Sequence, residues 1–186
     1  EALTNEEYGG FNPLGSFRGT WDGDGKGLKN MYINKAGNAG LIAYLNGGTV
    51  KNLEITGKII CTGDNAGSIS AGWGTVRDCI SRVDIEATGN YIAGIIGGEN
   101  GGGVYNSQNY GNIIGINTVG GINSRYGKAT NCQNYGKISG TSSIGGINGE
   151  CATIEGCKNY GEIEGENNAG GIIGQTTTGF VNKCIN

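Results

Sequence analysis

Three stretches of ten residues, NSQNYGNIIG (106–115), NCQNYGKISG (131–140) and GCKNYGEIEG (156–165), follow one another at a constant spacing of 25 residues. Each has an Asn-Tyr-Gly turn followed by a short strand-like run, and in the last two an isoleucine stands between polar residues, as in half-buried strands. A repeat of this length with strands this short is typical of a solenoid, in which each copy adds one coil to a stack.

The repeat extends over most of the chain. One glycine anchors each copy, and these glycines lie 27, 27, 27, 25 and 25 residues apart. They are Gly40, Gly67, Gly94, Gly121, Gly146 and Gly171. No apolar stripe of helical period is present, and Gly, Asn, Ser and Thr clusters separate the runs. The sequence therefore predicts an all-β protein, a right-handed parallel β-helix (β-solenoid) of about seven coils with 25–27-residue repeats.

The predicted organisation has two parts. Residues 1–34 would form an N-terminal cap and the first coil, with the coil built from 15–34 and residues 1–14 covering its open edge. Residues 35–186 would form the repeats. The last copy stops short of the Asn-Tyr-Gly turn, so we expect a truncated final repeat and flanking domains in a longer chain.

Stacked coils would place equivalent residues in columns with a rise of roughly 4.8 Å per coil. Two columns would be mainly aliphatic and face the core. The first contains Leu41, Ser68, Ile95, Ile122, Ile147 and Ile172, and the second contains Ile59, Ile85, Ile113, Ile138 and Ile163. A third contains Leu53, Cys79, Ser107, Cys132, Cys157 and Cys184. Because cysteine shares that position with leucine and serine, we expect reduced packing cysteines rather than a disulfide framework.

Two further columns are polar or aromatic. Asn109, Asn134, Asn159 and Asn186 would form a ladder of side-chain amides along the coil axis. Beside them, Tyr110, Tyr135 and Tyr160 are the candidate ligand-binding residues. Three stacked rings could offer a flat platform to sugar rings, or they could cover a hydrophobic corner by packing on one another. Charged residues would pair between coils, Lys58 with Asp84 and Lys137 with Glu162.

Composition excludes several classes of function. The net charge is -3 with 13 basic residues, so we expect no nucleic-acid partner. No apolar run is long enough to cross a bilayer, so we expect no membrane span in this chain. The absence of histidine removes Ser-His-Asp and Cys-His catalysis and every zinc site with an imidazole ligand. We expect a protein that is not an enzyme and that has no cofactor and no metal.

One stretch, TWDGDGKG (20–27), begins like a calcium loop, because Asp22 and Asp24 alternate and Gly25 supplies a turn. An EF-hand loop requires a ligand at its fifth position and a bidentate glutamate at its twelfth. Counted from Asp22, these positions hold Lys26 and Ile33. We therefore interpret the stretch as a tight turn, since Asp-Gly pairs favour positive φ.

The segments GSFRGTWDGDGKGLKNMYI (15–33), AGLIAYLNGGTVKNLEITGKI (39–59) and AGGIIG (169–174) resemble the repeats of GLUG-motif proteins. Such repeats occur in bacterial surface and secreted proteins, including adhesin-like proteins and non-catalytic regions of immunoglobulin A1-specific metallopeptidases. The resemblance covers the chain from about Gly15 onward. It departs from the usual pattern at Asn123 and Asn148, where an aliphatic residue is more common.

The resemblance implies a non-catalytic extracellular β-helix on the surface of a bacterium or secreted by it, acting in adhesion or as a structural spacer. Its partner would be a host glycan or a host protein. One alternative is a carbohydrate-binding module that uses the tyrosine column. Another is a polysaccharide-degrading β-helix enzyme, for which Asp78, Asp84 and Glu86 are the clustered acidic candidates.

Overall fold

A computed structural model describes residues 10–186, and this part of the chain is built from short strands without any helix. None of these residues therefore forms a helix that could cross a membrane. The strands, in chain order, are β1 (Leu14–Ser16), β2 (Thr20–Lys35), β3 (Ile42–Tyr44), β4 (Thr49–Cys61), β5 (Ala66–Gly67), β6 (Thr75–Arg77), β7 (Ile80–Ala87), β8 (Ile92–Ala93), β9 (Gly103–Tyr105), β10 (Gln108–Asn109), β11 (Ile113–Ile114), β12 (Asn117–Gly120), β13 (Asn123–Arg125), β14 (Lys128–Thr130), β15 (Gln133–Asn134), β16 (Ile138–Gly145), β17 (Asn148–Glu150), β18 (Thr153–Glu155), β19 (Lys158–Asn159), β20 (Ile163–Gly170), β21 (Ile173–Gln175) and β22 (Phe180–Asn182).

Every pairing between these named strands is parallel, and each joins a strand to its counterpart one repeat away. The series β2, β4, β7, β11, β16 and β20 is the longest column of strands. Strands β13, β17 and β21 form a second face. The fold is thus a β-solenoid of about six turns, close to the predicted seven. The right-handed path of the coils stays a prediction from the chirality of parallel crossovers.

Both predicted aliphatic columns are confirmed. In the second, Ile59 pairs with Ile85, and the register continues through Ile113 and Ile138 to Ile163. The first four of these side chains are fully buried, and the last is partly buried against the core. In the first column the backbone bonds run from each coil to the next, as in Ile122 N–H to Ile147 O at 2.9 Å. One aliphatic core therefore runs along the axis of the stack.

The cysteines are free thiols, as predicted. Cys79, Cys132 and Cys157 are fully or almost fully buried in one column, and Cys184 continues it with partial exposure. The backbone N–H of Cys132 donates to Sγ of Cys157 at 3.3 Å. Burial raises the pKa of Cys79 to about 11 and also raises that of Cys132. These residues pack as small apolar side chains.

The predicted amide ladder is also present. Nδ2 of Asn109 donates to Oδ1 of Asn134 at 2.9 Å, and the next two steps, to Asn159 and then Asn186, are each 2.8 Å. The second amide proton of Asn134 donates to the carbonyl oxygen of Gly136. Each interior rung is therefore bonded both along the axis and to its own turn, which satisfies polar groups that burial would otherwise leave unpaired.

The ladder also explains the anchor glycines. A Cβ atom built on Gly121 would lie 2.5 Å from Cγ of Asn134, and the same conflict recurs at Gly94 with Asn109. No side chain fits between the backbone and the amide column, so these positions require glycine for close approach. A Cβ atom on Gly40 or Gly67 would meet backbone atoms instead, so the glycine spacing reflects both the amide ladder and the close approach of the backbone.

Asn123 and Asn148, the two departures from the family pattern, face the interior. They pair in register with each other and with Ile173, and both are completely buried. Nδ2 of Asn123 donates to the carbonyl oxygens of Gly102 and Lys128. The two residues therefore occupy the aliphatic site of the repeat and bond their amides to nearby backbone.

The tight turn predicted in TWDGDGKG (20–27) does not separate two strands. It is a bulge inside the single strand β2. Asp22 pairs with Lys51 and Lys26 with Leu53, so the three residues between them stand opposite the single residue Asn52. The φ angles of Asp24 and Gly25 are 53° and 71°, the left-handed values expected of an Asp-Gly turn.

The predicted N-terminal cap lies mostly in residues 1–9, which are outside the described residues. The first described residues do approach the first coil. Gly10 forms an antiparallel bridge with Ile33, and the N–H of Phe11 donates to the carbonyl oxygen of Tyr32.

Neighbouring isoleucines on β11 offer a test of the core. Ile113 is fully buried, whereas Ile114 is 48% exposed. Replacing Ile113 by Ala leaves a cavity in the aliphatic column, and we expect a loss of about 2–5 kcal/mol in the free energy of unfolding. The same change at Ile114 should alter it by no more than about 0.5 kcal/mol. Denaturant unfolding followed by circular dichroism measures both, and equal losses would contradict the assigned register.

Candidate functional site

The three candidate tyrosines stack along the coil axis. The ring centroids of Tyr110 and Tyr135 are 4.5 Å apart with an interplanar angle of 4°. Those of Tyr135 and Tyr160 are 5.0 Å apart with an angle of 17°. Each tyrosine directly follows a rung of the amide ladder, so the turn that fixes the asparagine also fixes the ring beside it.

A cation covers the end of the stack at Tyr110. The guanidinium carbon of Arg82 lies 4.2 Å from the ring centroid of Tyr110, a cation–π contact, and Arg82 Nε donates to Glu54 Oε1 at 2.8 Å. The hydroxyl groups of Tyr110 and Tyr135 donate to the glutamine two residues before each of them. Burial by the adjacent rings raises the pKa of the Tyr135 hydroxyl.

This geometry determines what the stack offers to solvent. Both faces of Tyr110 and both faces of Tyr135 are covered by a neighbouring ring or guanidinium. Among residues 10–186, no ring or cation stacks on the outer face of Tyr160, which is 56% exposed. The faces of Tyr110 and Tyr135 are therefore closed to a sugar ring, and these two residues present ring edges and phenol oxygens to solvent.

The predicted ion pairs form with one change of partner. Lys58 shares its register position with Asp84, but its Nζ lies 2.9 Å from Oε1 of Glu86, two residues further along the same strand. Nζ of Lys137 lies 3.4 Å from the predicted partner Glu162 and 2.8 Å from Glu164, two residues further along the chain. These side chains are about half exposed, so each pair contributes little, roughly 0.2–1 kcal/mol.

Each of the acidic candidates for polysaccharide cleavage has a hydrogen-bond or ion-pair partner. Oδ1 of Asp78 accepts a hydrogen bond from Nδ2 of Asn106, and Oδ1 of Asp84 accepts one from the backbone N–H of Asn112. Glu86 holds Lys58. Each carboxylate is bonded to its own neighbour on an adjacent coil.

Each aspartate of the acidic turn in β2 pairs with a lysine side chain. Nζ of Lys51 lies 2.7 Å from Asp22 Oδ2, and Nζ of Lys26 lies 3.1 Å from Asp24 Oδ2. A cavity of about 360 Å³ opens beside this turn and is lined in part by Asn52, Asp78 and the two turn aspartates. Within residues 10–186, no three Cys, Asp or Glu side chains are grouped so that they could hold a metal ion.

A second group of aromatic residues was not predicted from the sequence. Tyr44 and Trp73 are 45% and 49% exposed, and both line a cavity of about 220 Å³ with Gly72, Gly98 and Glu99. The signal in the sequence is weak, because the two aromatic residues are not at equivalent positions of their repeats. They become neighbours only when the register of the coils is known.

Alanine substitutions in the tyrosine column should reveal its energetic role. Tyr135→Ala removes two stacking contacts, each worth roughly 0.5–1.5 kcal/mol, so we expect a loss of about 1–3 kcal/mol of stability. Tyr160→Ala removes only one and should cost about half as much. Thermal unfolding of the two variants makes the comparison, and equal losses would contradict additive stacking.

The pH dependence of stability should report on the turn in β2. Hydrogen bonds from Lys51, Asn52 and the N–H of Asp24 hold the pKa of Asp22 well below its usual range. A carboxyl whose pKa is lower in the folded state stabilises the fold above its unfolded pKa, about 3.9, and loses that contribution as the pH falls towards its folded pKa. We expect the melting temperature to fall less steeply below about pH 4 in Asp22→Asn and in Lys51→Met than in the wild type. An unchanged slope in both variants would contradict the ion pair.

In comparisons with protein-family models, curated proteins and solved structures, no match to this chain is found.

Proposed function

We propose that this chain is a non-catalytic β-solenoid segment of a bacterial surface or secreted protein, where it acts in adhesion or as a structural spacer. The proposal joins the resemblance to GLUG-motif repeats with the observed β-solenoid fold. A filled solenoid suits either role, because its rigid stack presents side chains at fixed spacing along its axis.

The observation that carries the proposal is the engagement of the outward carboxylates along the axis. Asp22, Glu54 and Glu86 each contact a lysine or arginine of an adjacent coil. A glycosidase instead needs two carboxyl groups facing each other across the scissile bond, with separations of roughly 5–10 Å. These three carboxylates hold adjacent coils together, which supports a structural or adhesive role.

The tyrosine column fits the same role. Most of its ring faces are covered by a neighbouring tyrosine or by Arg82. This stacking stabilises the turn beside the amide ladder. We therefore assign it first to cohesion of the stack.

Adhesion and cleavage can be separated in one experiment. Beads coated with the chain are applied to host epithelial cells and to immobilised matrix proteins and glycans, and retention under flow is counted. Beads coated with heat-unfolded chain are the control. In parallel, the chain is incubated with neutral and acidic polysaccharides, and newly released reducing ends are measured.

Retention of the folded chain without release of reducing ends is the expected result for an adhesive segment. Neither retention nor release would favour the spacer role. Release of reducing ends that is lost in Asp84→Asn or Glu86→Gln would contradict the proposal and favour the polysaccharide-degrading alternative.

A further inference from the structure

In one outward column of the solenoid, two consecutive coils have glycine and therefore no side chain. Ile42, Ser70 and Ile96 are bridged in register along the interior. Two residues after them, on the outside, stand Tyr44, Gly72 and Gly98, and the next coil contributes Arg125 at the same position. Because glycine has no side chain, nothing projects outward between the tyrosine and the arginine in this column, and Gly72 and Gly98 are themselves buried. We call this gap, with its rim, the glycine notch.

The corners of the coils build its side walls. From Ser70 to Thr75 the chain turns in five residues, whereas the corresponding stretches of the coils before and after it take seven. Trp73 lies in the short corner, and Glu99 and Asn100 lie in the following long one. The short corner therefore sits recessed between two longer ones, and its indole stands at the edge of the recess.

Contacts fix the two aromatic rings. A Cβ atom on Gly47 would lie 3.9 Å from Cζ3 of Trp73, so the indole packs over that glycine of the preceding coil. A Cβ atom on Gly72 would lie 3.0 Å from Cδ1 of Tyr44, so the phenol ring leans over the floor of the notch. Both rings are held by backbone beneath them and remain about half exposed.

The floor cannot be filled by a larger residue. Gly98 has a φ angle of 104°, and a Cβ atom there would lie 2.5 Å from the carbonyl oxygen of Ala71. Any other residue would be strained in its backbone and would collide with the preceding coil. The cavity of about 220 Å³ is thus a built feature of the fold, with room for one ring rather than for a drug-sized ligand.

Charge limits the ligands that suit the notch. Glu99 is the charged residue in its lining, and its Oε1 lies 3.6 Å from Nη1 of Arg125. Arg125 is also paired with Glu150 at 3.3 Å, so the lining has no free cation to bind an anion. A cage for a quaternary ammonium group encloses the cation with ring faces, and two rings on one side of an open notch do not enclose it.

We propose that the glycine notch binds one pyranose ring of a neutral glycan. The apolar C–H face of the sugar would pack on the rings of Tyr44 and Trp73, where the negative ring faces attract the positive C–H edges. Its hydroxyl groups would donate to the Glu99 carboxylate and bond to the Asn100 amide at the rim. This inference rests on the proposed adhesive role, for which it names the class of ligand, but at a site separate from the tyrosine column.

Tryptophan fluorescence and amide NMR test the site directly. The probes are methyl glycosides of glucose, galactose, mannose and N-acetylglucosamine, with their linear trisaccharides, and each is titrated into the chain carrying Trp21→Phe. We expect saturable quenching of Trp73 by at least one neutral saccharide. In the wild type, the amide signals of Gly72 and Gly98 should shift in the same titration.

Substitutions then locate the contact. Trp73→Ala and Tyr44→Ala should each weaken binding about tenfold or more, because aromatic anchors dominate such contacts. Gly72→Ala should weaken it, because the added methyl group would lie 3.0 Å from Cδ1 of Tyr44 and would displace that ring. Phe180→Ala is the matched control, since it removes an exposed ring outside the notch and should leave affinity unchanged. Since the NMR shifts need no substitution, a variant that fails to fold does not remove the test.

Three results would overturn the inference. They are no response to any neutral saccharide, binding that is lost in Tyr160→Ala but kept in Trp73→Ala, and binding of choline or of a lysine peptide with no saccharide response. Cell retention separates this inference from the proposed function. Saccharide binding without retention would contradict adhesion alone, and retention unchanged in Trp73→Ala without any saccharide response would contradict the notch alone.

Discussion

Parallel, in-register hydrogen bonding between coils is the constraint on which this structure depends. Each coil rests on the next at the spacing of neighbouring strands, so every side chain stands directly above its counterpart one repeat away. A residue type is tolerated only if it can stack on what lies above and below it. Isoleucine, asparagine and tyrosine each do so by a different interaction, namely apolar packing, amide hydrogen bonding and ring stacking.

The columns are not independent of one another. Asn134 bonds to the asparagines above and below it and to the carbonyl oxygen of Gly136, and in doing so it fixes the turn that positions Tyr135. The same amide, together with the carbonyl oxygen of Gly146, leaves room only for glycine at position 121 of its own repeat. A Cβ atom on the motif glycine Gly136 would collide with the carbonyl oxygen of Gly111. Amide bonding, ring stacking and close approach of the coils thus fall on three consecutive residues, which explains why the Asn-Tyr-Gly motif recurs as a unit.

Spacing predicts columns well because a register of 25–27 residues is visible in the sequence. The aliphatic, cysteine and asparagine columns were predicted in this way, and the structure confirms them. Spacing does not show how far a side chain extends. Lys58 was therefore predicted to pair with Asp84, the residue directly opposite, whereas its side chain extends to Glu86. The glycine notch was missed for a further reason. Tyr44 and Trp73 come from corners of unequal length, and corner length follows from packing between coils rather than from the repeat itself.

The burial of the cysteine column affects how easily the chain forms disulfides before and after it folds. An extended polypeptide with six thiols in an oxidising environment would form disulfides at random, since thiolates at ordinary pKa exchange readily. In the stack, burial raises the pKa of Cys79 and Cys132 and hides both sulfur atoms from oxidants. Cys151 differs, because hydrogen bonds from Thr177 and Thr178 outweigh its burial and lower its pKa. In such an environment, coil formation would compete with oxidation of the thiols, and each completed turn would shield the sulfur atoms that it encloses.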